Sequence, residues 1–139
     1  MNKLDYQLIE LNREQINEID ERLEQFDNAH IKQDLSGGVQ LGIVYNDKLV
    51  AGINAVITTF RIMYISTLWV DEGFRGKGLG KQLIEEMEAR AVKMGVNTLR
   101  ADTFDFQGVE FYLAIGFTEA GSYTNQEDGY SEHFFVKRI

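Results

Sequence analysis

The fold of this chain is decided by the stretch Leu68-Trp-Val-Asp-Glu-Gly-Phe-Arg-Gly-Lys-Gly-Leu-Gly-Lys-Gln-Leu83. It predicts an apolar strand that passes through a glycine-rich turn into an amphipathic helix. Such a turn points unpaired backbone N–H groups and the positive end of the helix dipole at one spot, so it favours a phosphorylated ligand such as a pyrophosphate. The residues that would form this anion site are Arg75, Gly76, Lys77, Gly78, Leu79, Gly80 and Lys81.

The spacing of the glycines disfavours two common phosphate-binding loops. A P-loop that starts at Gly73 would need Lys and then Ser or Thr after Gly78, but Leu and Gly follow instead. The dinucleotide fingerprint Gly-x-Gly-x-x-Gly fails as well, because the sixth position counted from Gly76 is Lys81. A nucleotide-binding domain is therefore a weaker alternative.

Composition narrows the class of protein. With 139 residues, 44% of them apolar, the chain is expected to form one domain over residues 1–139. It has no cysteine, no secretory signal and no apolar run of the ~18–20 residues that a membrane span needs, so we expect a cytoplasmic location. The net charge of −8 disfavours nucleic acid and anionic membranes as partners. It suits a cationic acceptor such as an amine, or it serves solubility alone.

Hydrophobic periodicity predicts an alternation of strands and helices. An apolar stripe in the first helix (Ile16, Ile19, Leu23 and Phe26) would cover a sheet or wall an acceptor site. A strand, a helix and a strand through residues 62–103 imply one parallel pair, and the hairpins imply antiparallel pairs. We expect strands at residues 3–10, 40–45, 49–59, 61–70, 96–103, 117–123 and 132–137, with helices at 13–32, from Leu79 to a stop at Gly95, and at 107–115.

Three segments resemble motifs of the GNAT N-acetyltransferases. Arg75-Gly-Lys-Gly-Leu-Gly80 matches their Arg/Gln-x-x-Gly-x-Gly/Ala signature, and Leu68-Trp-Val-Asp71 resembles their Leu-x-Val-Asp strand end. Phe111-Tyr-Leu-Ala-Ile-Gly-Phe117 resembles their Phe-Tyr-x-x-x-Gly-Phe element. The resemblance implies an α/β GNAT fold, in which helices flank a mixed central sheet. It also implies that the anion site holds the pyrophosphate of acetyl-CoA. No metal is expected, because the chain has two distant histidines and no cysteine.

The same resemblance implies how the thioester would be held and cleaved. Leu68, Trp69 and Val70 would run beside the pantetheine arm of acetyl-CoA almost as an extra strand. The backbone amide of Val70 would stabilise the oxyanion at the thioester carbonyl. Tyr112 would be the general acid that protonates the leaving thiolate, or its ring would pack while its hydroxyl bonds to pantetheine or backbone.

The general base is less clearly marked in the sequence. Some GNAT enzymes use a Glu on the strand after the glycine-loop helix, and Arg100 lies near that position here. Asp102 is the nearest carboxylate on this strand and is our candidate base. Asp102 or Asp105 would otherwise cap the helix that begins near Gln107, which we favour for Asp105. Family members commonly have Asn near Asp105, so Gln107 would take over the amide contact with the cofactor.

These features favour an N-acetyltransferase that transfers the acetyl group of acetyl-CoA to a primary amine of a small molecule or protein by direct attack in a ternary complex. The alternative is a non-catalytic CoA-binding or interaction module with the same fold. His133 would line the acceptor pocket or pack on its strand, and His30 is too far along the chain to join it in a metal site. A homodimer through the aromatic late strands is a further expectation.

Overall fold

The computed structural model describes residues 5–31 and 35–139. The chain divides into two compact units, Met1–Asp34 and Leu35–Ile139. The expected single domain over all 139 residues stays a prediction. The strand expected at residues 3–10 is wrong where it is described, because Asp5 lies in a single turn and residues 6–12 have no regular secondary structure. The described part of this unit contains no second strand with which such a segment could pair.

The first unit is built around helix α1, Arg13–His30. The helix begins at a capping box, in which the Asn12 side chain accepts from the Gln15 N–H at 2.9 Å and the Gln15 side chain accepts from the Asn12 N–H at 3.0 Å. The predicted start is therefore confirmed, while the predicted end at Lys32 lies outside the described residues. Packing of the apolar stripe against the sheet stays a prediction.

The second unit contains a mixed sheet of six strands in the order β1-β2-β3-β4-β6-β5. Only β3 and β4 pair in parallel, and every other neighbouring pair is antiparallel. This confirms the expected α/β class and the parallel pair across the glycine-loop helix. The elements are β1 Gly38–Tyr45, β2 Lys48–Ile57, β3 Ile62–Val70, a 3-10 turn at Glu72–Phe74, α2 Leu79–Lys93, β4 Thr98–Phe104, α3 Val109–Ala114, β5 Thr118–Thr124 and β6 Ser131–Arg138.

Two turns of the second unit have positive φ values at residues that tolerate them. The β1–β2 hairpin turns at Asn46 and Asp47, which take φ values of 48° and 62°. Positive φ at both central positions is the backbone of a type I′ turn, in which Asn and Asp are tolerated. Gly95 has a φ of 96° directly after α2, so it ends that helix as expected.

The core lies between one face of the sheet and helix α2. The helix buries Leu83, Ile84, Met87 and Ala91 at helical spacing, and it packs against β1, β2 and β3. Each buried side chain of Leu, Ile or Met size contributes roughly 1.5–3 kcal/mol. The sheet buries Met63, Ile65, Leu99, Ala101 and Phe135. This packing fixes the first turn of α2 beside the end of β3, where the functional site is expected.

Candidate active site

A cleft opens where β3 and β4 separate. The two strands pair only from Ile62↔Thr98 to Ile65↔Ala101, although β3 continues to Val70 and β4 to Phe104. Beyond the last pair the gap widens into a cleft of about 630 Å³. The cleft is lined by Ile65, Ser66, Thr67, Leu68, Trp69, Val70, Arg75, Asp102, Thr103, Phe106, Gln107, Gly108 and Tyr112. It therefore brings together the predicted residues Leu68, Trp69, Val70, Arg75, Asp102, Gln107 and Tyr112, but not His133.

A β-bulge decides which backbone groups of β3 face this cleft. The register with β2 shifts between Ala55↔Ile65 and Asn54↔Thr67, so Ser66 is the extra residue. Beyond the bulge, the Asp71 N–H donates to the Val50 carbonyl at 2.8 Å, which makes Asp71 a hydrogen-bonded partner of β2. Since such pairs alternate along an antiparallel ladder, Thr67 and Trp69 also bond to β2. Leu68 and Val70 consequently direct their N–H and C=O groups away from β2 and toward the gap.

This alternation refines the predicted pantetheine contacts. Leu68 and Val70 direct main-chain groups into the gap, while their contact with an extended ligand stays a prediction. The Trp69 main chain pairs with Gly52 of β2, so only the side chain of Trp69 can contact a ligand in the gap. That side chain is 56% exposed, and its indole N–H donates to Asp71 at 2.7 Å.

Arg75 closes the end of the cleft. Its Nε–H donates to the Val70 carbonyl at 2.8 Å, and its guanidinium carbon lies 4.8 Å from the centre of the Trp69 ring. The hydrogen bond uses the carbonyl that β2 leaves free, so Arg75 fixes the conformation of the strand end. The terminal nitrogens of Arg75 add positive charge beside the glycine loop.

The glycine loop presents its amides at the start of α2. Gly76 and Gly78 take φ values of 75° and 81°, in the left-handed region that favours glycine, and a Cβ on either would meet no atom within 4 Å. Within the described part of the chain, the amides of residues 76–81 donate to no backbone carbonyl. Gly78 is the N-cap of α2 and offers no side chain, so the first turn leaves its N–H groups open. This is the backbone arrangement that suits an anion.

The other residues of the loop differ in what surrounds them. Gly80 leaves space for a neighbour in the protein, because its Cβ would lie 3.3 Å from the Phe111 ring. The Lys77 ammonium lies 5.8 Å from the centre of the Phe74 ring, and Lys81 pairs with Glu85 at 3.9 Å on the exposed face of α2. An exposed i,i+4 pair contributes only about 0.3–0.5 kcal/mol, so Lys81 can exchange this partner for a phosphate.

Tyr112 reaches the cleft from α3. Its ring packs against Phe111, Phe117 and Phe135 at centroid distances of 5.3, 5.1 and 5.7 Å, and the residue is only 6% exposed. The Tyr112 hydroxyl has no hydrogen-bond partner among the described residues. Every fully buried side-chain oxygen or nitrogen of these residues does have a partner, so this hydroxyl is not fully buried and opens onto the cleft. Burial, with smaller contributions from Tyr64 and Asp102, raises the pKa of Tyr112 to about 12.

Asp102 lies on β4 at the widening of the gap. Its Oδ2 accepts a hydrogen bond from the Tyr64 hydroxyl at 3.0 Å, and the Arg100 guanidinium carbon lies 5.5 Å from the centre of the Tyr64 ring. Burial and this hydrogen bond raise the pKa of Tyr64. The alternative in which Asp102 caps α3 is wrong, because the cap of that helix is Gly108 without any side-chain hydrogen bond. Sequence reasoning missed Tyr64, which lies 38 positions from its partner and carries no local signal.

The segment between β4 and α3 departs from the prediction in two ways. Asp105 does not cap α3; its carboxylate accepts from the Ser131 N–H at 3.2 Å and ties the segment to β6. The side-chain oxygen of Gln107 accepts from the Phe104 N–H at 2.9 Å, so the protein already uses one acceptor site of an amide that lines the cleft. The Gly108 N–H donates to the buried hydroxyl of Thr103 at 3.0 Å.

His133 lies outside this cleft. Its Nδ1 bonds to the Glu119 carboxylate, and the residue lines a separate cavity of about 550 Å³ beside α3. That cavity shares Phe106 and Gln107 with the main cleft. Within the described ranges no group of three or more His, Asp or Glu side chains could hold a metal ion. None of the helices that the structure describes is long and apolar enough to cross a membrane.

Solved structures share this fold. An acetyltransferase from Bacillus cereus ATCC 14579 superposes with a TM-score of 0.90 at 28% identity, over 98% of this chain and 99% of that chain. An aminoglycoside 6'-N-acetyltransferase complexed with coenzyme A gives a TM-score of 0.64 at 18% identity, over 73% of this chain and 72% of that chain. At that identity the second likeness concerns the fold alone. The architecture is therefore that of an acetyltransferase.

The sequence comparison specifies the family. The model of the acetyltransferase (GNAT) family matches residues 6–117, so the chain belongs to this family and the resemblance stated above is confirmed. A blasticidin-S acetyltransferase of Streptomyces morookaense is 38% identical over 78 residues, which are 55% of this chain and 57% of that protein. An acetyltransferase of Agrobacterium fabrum is 32% identical over 77 residues, 55% of this chain and 56% of that protein. The aligned part thus spans about half the length of the curated relatives.

Proposed function

We propose that this protein is an acetyl-CoA-dependent N-acetyltransferase that acts on a primary amine. The observation that carries the proposal is the continuity of the cleft, which runs from Arg75 beside the open amides of α2 to Tyr112 and Asp102. A pyrophosphate at residues 76–81 and an extended arm along Leu68 and Val70 would bring a thioester into this cleft.

In the proposed reaction, the acceptor ammonium first loses one proton to solvent, and the neutral amine nitrogen then attacks the thioester carbonyl carbon within a ternary complex. The carbonyl oxygen gains negative charge, which the Val70 N–H stabilises from the gap side of β3. Asp102 accepts the proton that the nitrogen releases, either directly or through water. The C–S bond then breaks, leaving the amide and the CoA thiolate.

The pKa of Tyr112 decides how it assists the departure of sulfur. An ordinary thiol has a pKa of about 8.5, whereas the pKa of Tyr112 is raised to about 12. Complete transfer of the phenolic proton to the thiolate is therefore uphill by roughly 5 kcal/mol at 1.36 kcal/mol per pKa unit. We infer that Tyr112 stabilises the leaving thiolate as a hydrogen-bond donor, and that the thiol gains its proton from water. Tyr112 would thus donate a hydrogen bond to sulfur without transferring its proton, which differs from the general-acid role that the family resemblance implies.

The acceptor is proposed to be a small-molecule amine rather than a protein amine. The name of one relative points this way, since the protein that is 38% identical over 78 residues is a blasticidin-S acetyltransferase. The net charge of −8 suits an acceptor that arrives as a cation. A peptide amine, a homodimeric assembly and a cytoplasmic location stay predictions.

The proposal is tested by measuring CoA release from acetyl-CoA with a thiol-reactive chromophore, across a panel of amines that includes polyamines, aminoglycosides and peptides. We expect amine-dependent release that Asp102→Asn suppresses. In parallel, thermal shifts with CoA and with ATP should differ, because a ligand at 100 times its Kd stabilises by about 2.7 kcal/mol. Tight acetyl-CoA binding without turnover of any amine would favour the non-catalytic CoA-binding module. A shift with ATP alone would favour a nucleotide-binding domain.

A further inference from the structure

Tyr64 bridges the point at which β3 and β4 separate. It lies opposite Arg100 in the parallel ladder, which ends one residue later at Ile65↔Ala101. Both residues of that final pair belong to the buried core, so Tyr64 and Asp102 lie on the opposite face of the sheet, because side chains alternate along a strand. The Tyr64 hydroxyl reaches past the end of the ladder and donates to Oδ2 of Asp102 at 3.0 Å.

Neighbouring strands hold the Tyr64 ring in place. The guanidinium carbon of Arg100 lies 5.5 Å from the centre of the ring, and the main chain of Tyr64 pairs with Val56 of β2. The charged groups that act on the hydroxyl are Asp102, Arg100 and Glu132. Burial, then the hydrogen bond to Asp102 and the two carboxylate charges, raise the pKa of Tyr64, and the Arg100 charge lowers it. The phenol therefore keeps its proton at neutral pH and serves as a donor.

The bridge leaves one oxygen of Asp102 for the acceptor amine. Within residues 5–31 and 35–139 the Tyr64 hydroxyl is the only hydrogen-bond partner of this carboxylate, and it occupies Oδ2. Every fully buried side-chain oxygen of these residues has a partner, so the unpaired Oδ1 is accessible, and Asp102 lines the cleft. The last torsion of an aspartate is otherwise broad, so the hydrogen bond from Tyr64 restricts the direction of Oδ1.

Tyr64 itself is not part of the cleft wall. We propose that Tyr64 is a positioning residue, which holds the Asp102 carboxylate in the orientation in which Oδ1 accepts the proton of the amine. This inference rests on the acetyltransferase function proposed above. The proton that the attacking nitrogen releases passes to Oδ1 of Asp102 and from there to solvent. The phenolic proton of Tyr64 stays on its own oxygen throughout.

A double-mutant cycle on Tyr64→Phe and Asp102→Asn tests this role. The assay is single-turnover CoA release from acetyl-CoA, with the amine of the panel above that the wild type acetylates fastest. Tyr64→Phe should lower this rate about tenfold without changing the steady-state KM for acetyl-CoA, because a carboxylate that turns freely is misaligned for much of the time. In the Asp102→Asn background the same change should alter the rate less than about twofold, since no base remains to be oriented.

Tyr123→Phe is the matched control. Tyr123 is an exposed tyrosine of β5 outside the cleft, so loss of its hydroxyl should leave the rate unchanged. Equal rate factors for Tyr64→Phe in both backgrounds, or an unchanged rate in Tyr64→Phe, would overturn the positioning role while leaving the acetyltransferase function standing. A wild type that acetylates no amine of the panel would reject that function and the positioning role together.

An alkaline titration checks the bridge without any turnover. Tyrosine labelled with ¹³C at the ring carbon that bears the hydroxyl reports the ionisation of each phenol by NMR, and Tyr64→Phe identifies the signal of Tyr64. Asp102→Asn should lower the pKa of Tyr64, because the neutral amide removes a charge that opposes ionisation. An unchanged pKa of Tyr64 would mean that the two side chains are apart in solution, which would overturn the inference even in an active enzyme.

Discussion

Removal of one hydroxyl, in Tyr112→Phe, separates the catalytic role of this residue from its packing role. The Tyr112 ring contacts three aromatic neighbours, and all of these contacts survive in phenylalanine. The hydroxyl has no hydrogen-bond partner among the described residues, so its loss leaves no donor or acceptor unpaired. We therefore expect stability at neutral pH that is unchanged or slightly higher.

The expected loss of rate follows from the hydrogen bond to the leaving sulfur. A bond to a charged group contributes about 1.5–3 kcal/mol, so kcat should fall roughly 10- to 150-fold. Single-turnover measurements of CoA release are the appropriate assay, because slow product release would hide such a change. Tyr123→Phe is the matched control: Tyr123 is an exposed tyrosine of β5 that does not line the cleft, and its kcat should stay at the wild-type value.

The raised pKa of Tyr112 adds a prediction about stability at alkaline pH. A tyrosine with a native pKa of about 12 and an unfolded value of 10.0 keeps its proton in the folded state when the unfolded state has lost it. The stability that depends on this proton is fully present below pH 10 and is lost as the pH rises toward 12. At pH 11 the free energy of unfolding of the wild type should have fallen by about 1.4 kcal/mol relative to that of Tyr112→Phe. Urea denaturation of both proteins at pH 9 and pH 11 measures this difference.

Two results would refute this account of Tyr112. An unchanged single-turnover rate in Tyr112→Phe would make the residue purely structural. A wild-type rate that declines with an apparent pKa near 8 to 9, with no such decline in Tyr112→Phe, would mean that the phenol ionises far below the pH that its burial implies.

Three further substitutions test the other parts of the site. Gly78→Ala should weaken acetyl-CoA binding at least tenfold in calorimetry and lower the free energy of unfolding by about 1–2 kcal/mol, because φ is 81° at this position. Gly73→Ala is the control: a Cβ there also has open space but φ is not positive, so neither quantity should change. Asp102→Asn should lower kcat about 10²- to 10⁴-fold with little change in KM for acetyl-CoA, because Asn can still accept from Tyr64. Arg75→Met removes the donor to the Val70 carbonyl, so it should lower kcat about tenfold and raise KM for acetyl-CoA; an effect on KM alone would reject the role of Arg75 in fixing the strand end.

The parts of the fold that follow local rules could be predicted from the sequence. The positive φ values of Gly76, Gly78 and Gly95 are backbone requirements that glycine alone meets easily, and the capping box before α1 lies within four residues. The strand expected at residues 3–10 was wrong because a strand depends on more than local rules. Alternation in sequence does not provide the neighbouring strand with which it must pair.

The side-chain pairs of the site could not be predicted in this way, since they join distant positions. Tyr64 bonds to Asp102, and His133 to Glu119, only because strand order and register place them side by side. Asp105 has the sequence pattern of a helix cap, but the nearby β6 offers the Ser131 N–H, and the carboxylate bonds there instead. Tertiary contacts override a local preference worth about 1 kcal/mol.

The proposed cofactor site and the proposed catalytic site are mechanically connected through the first turn of α2. Gly80 lets the Phe111 ring pack at 3.3 Å from its virtual Cβ, and Phe111 precedes Tyr112 on α3, so the position of α2 sets that of the Tyr112 hydroxyl. On the other side, Arg75 joins the loop to the Val70 carbonyl at 2.8 Å and sets the strand end that carries the oxyanion donor. A ligand that fixes the loop would therefore fix both groups that act on the thioester. Binding energy from the distant pyrophosphate would in this way contribute to orientation at the reacting carbon.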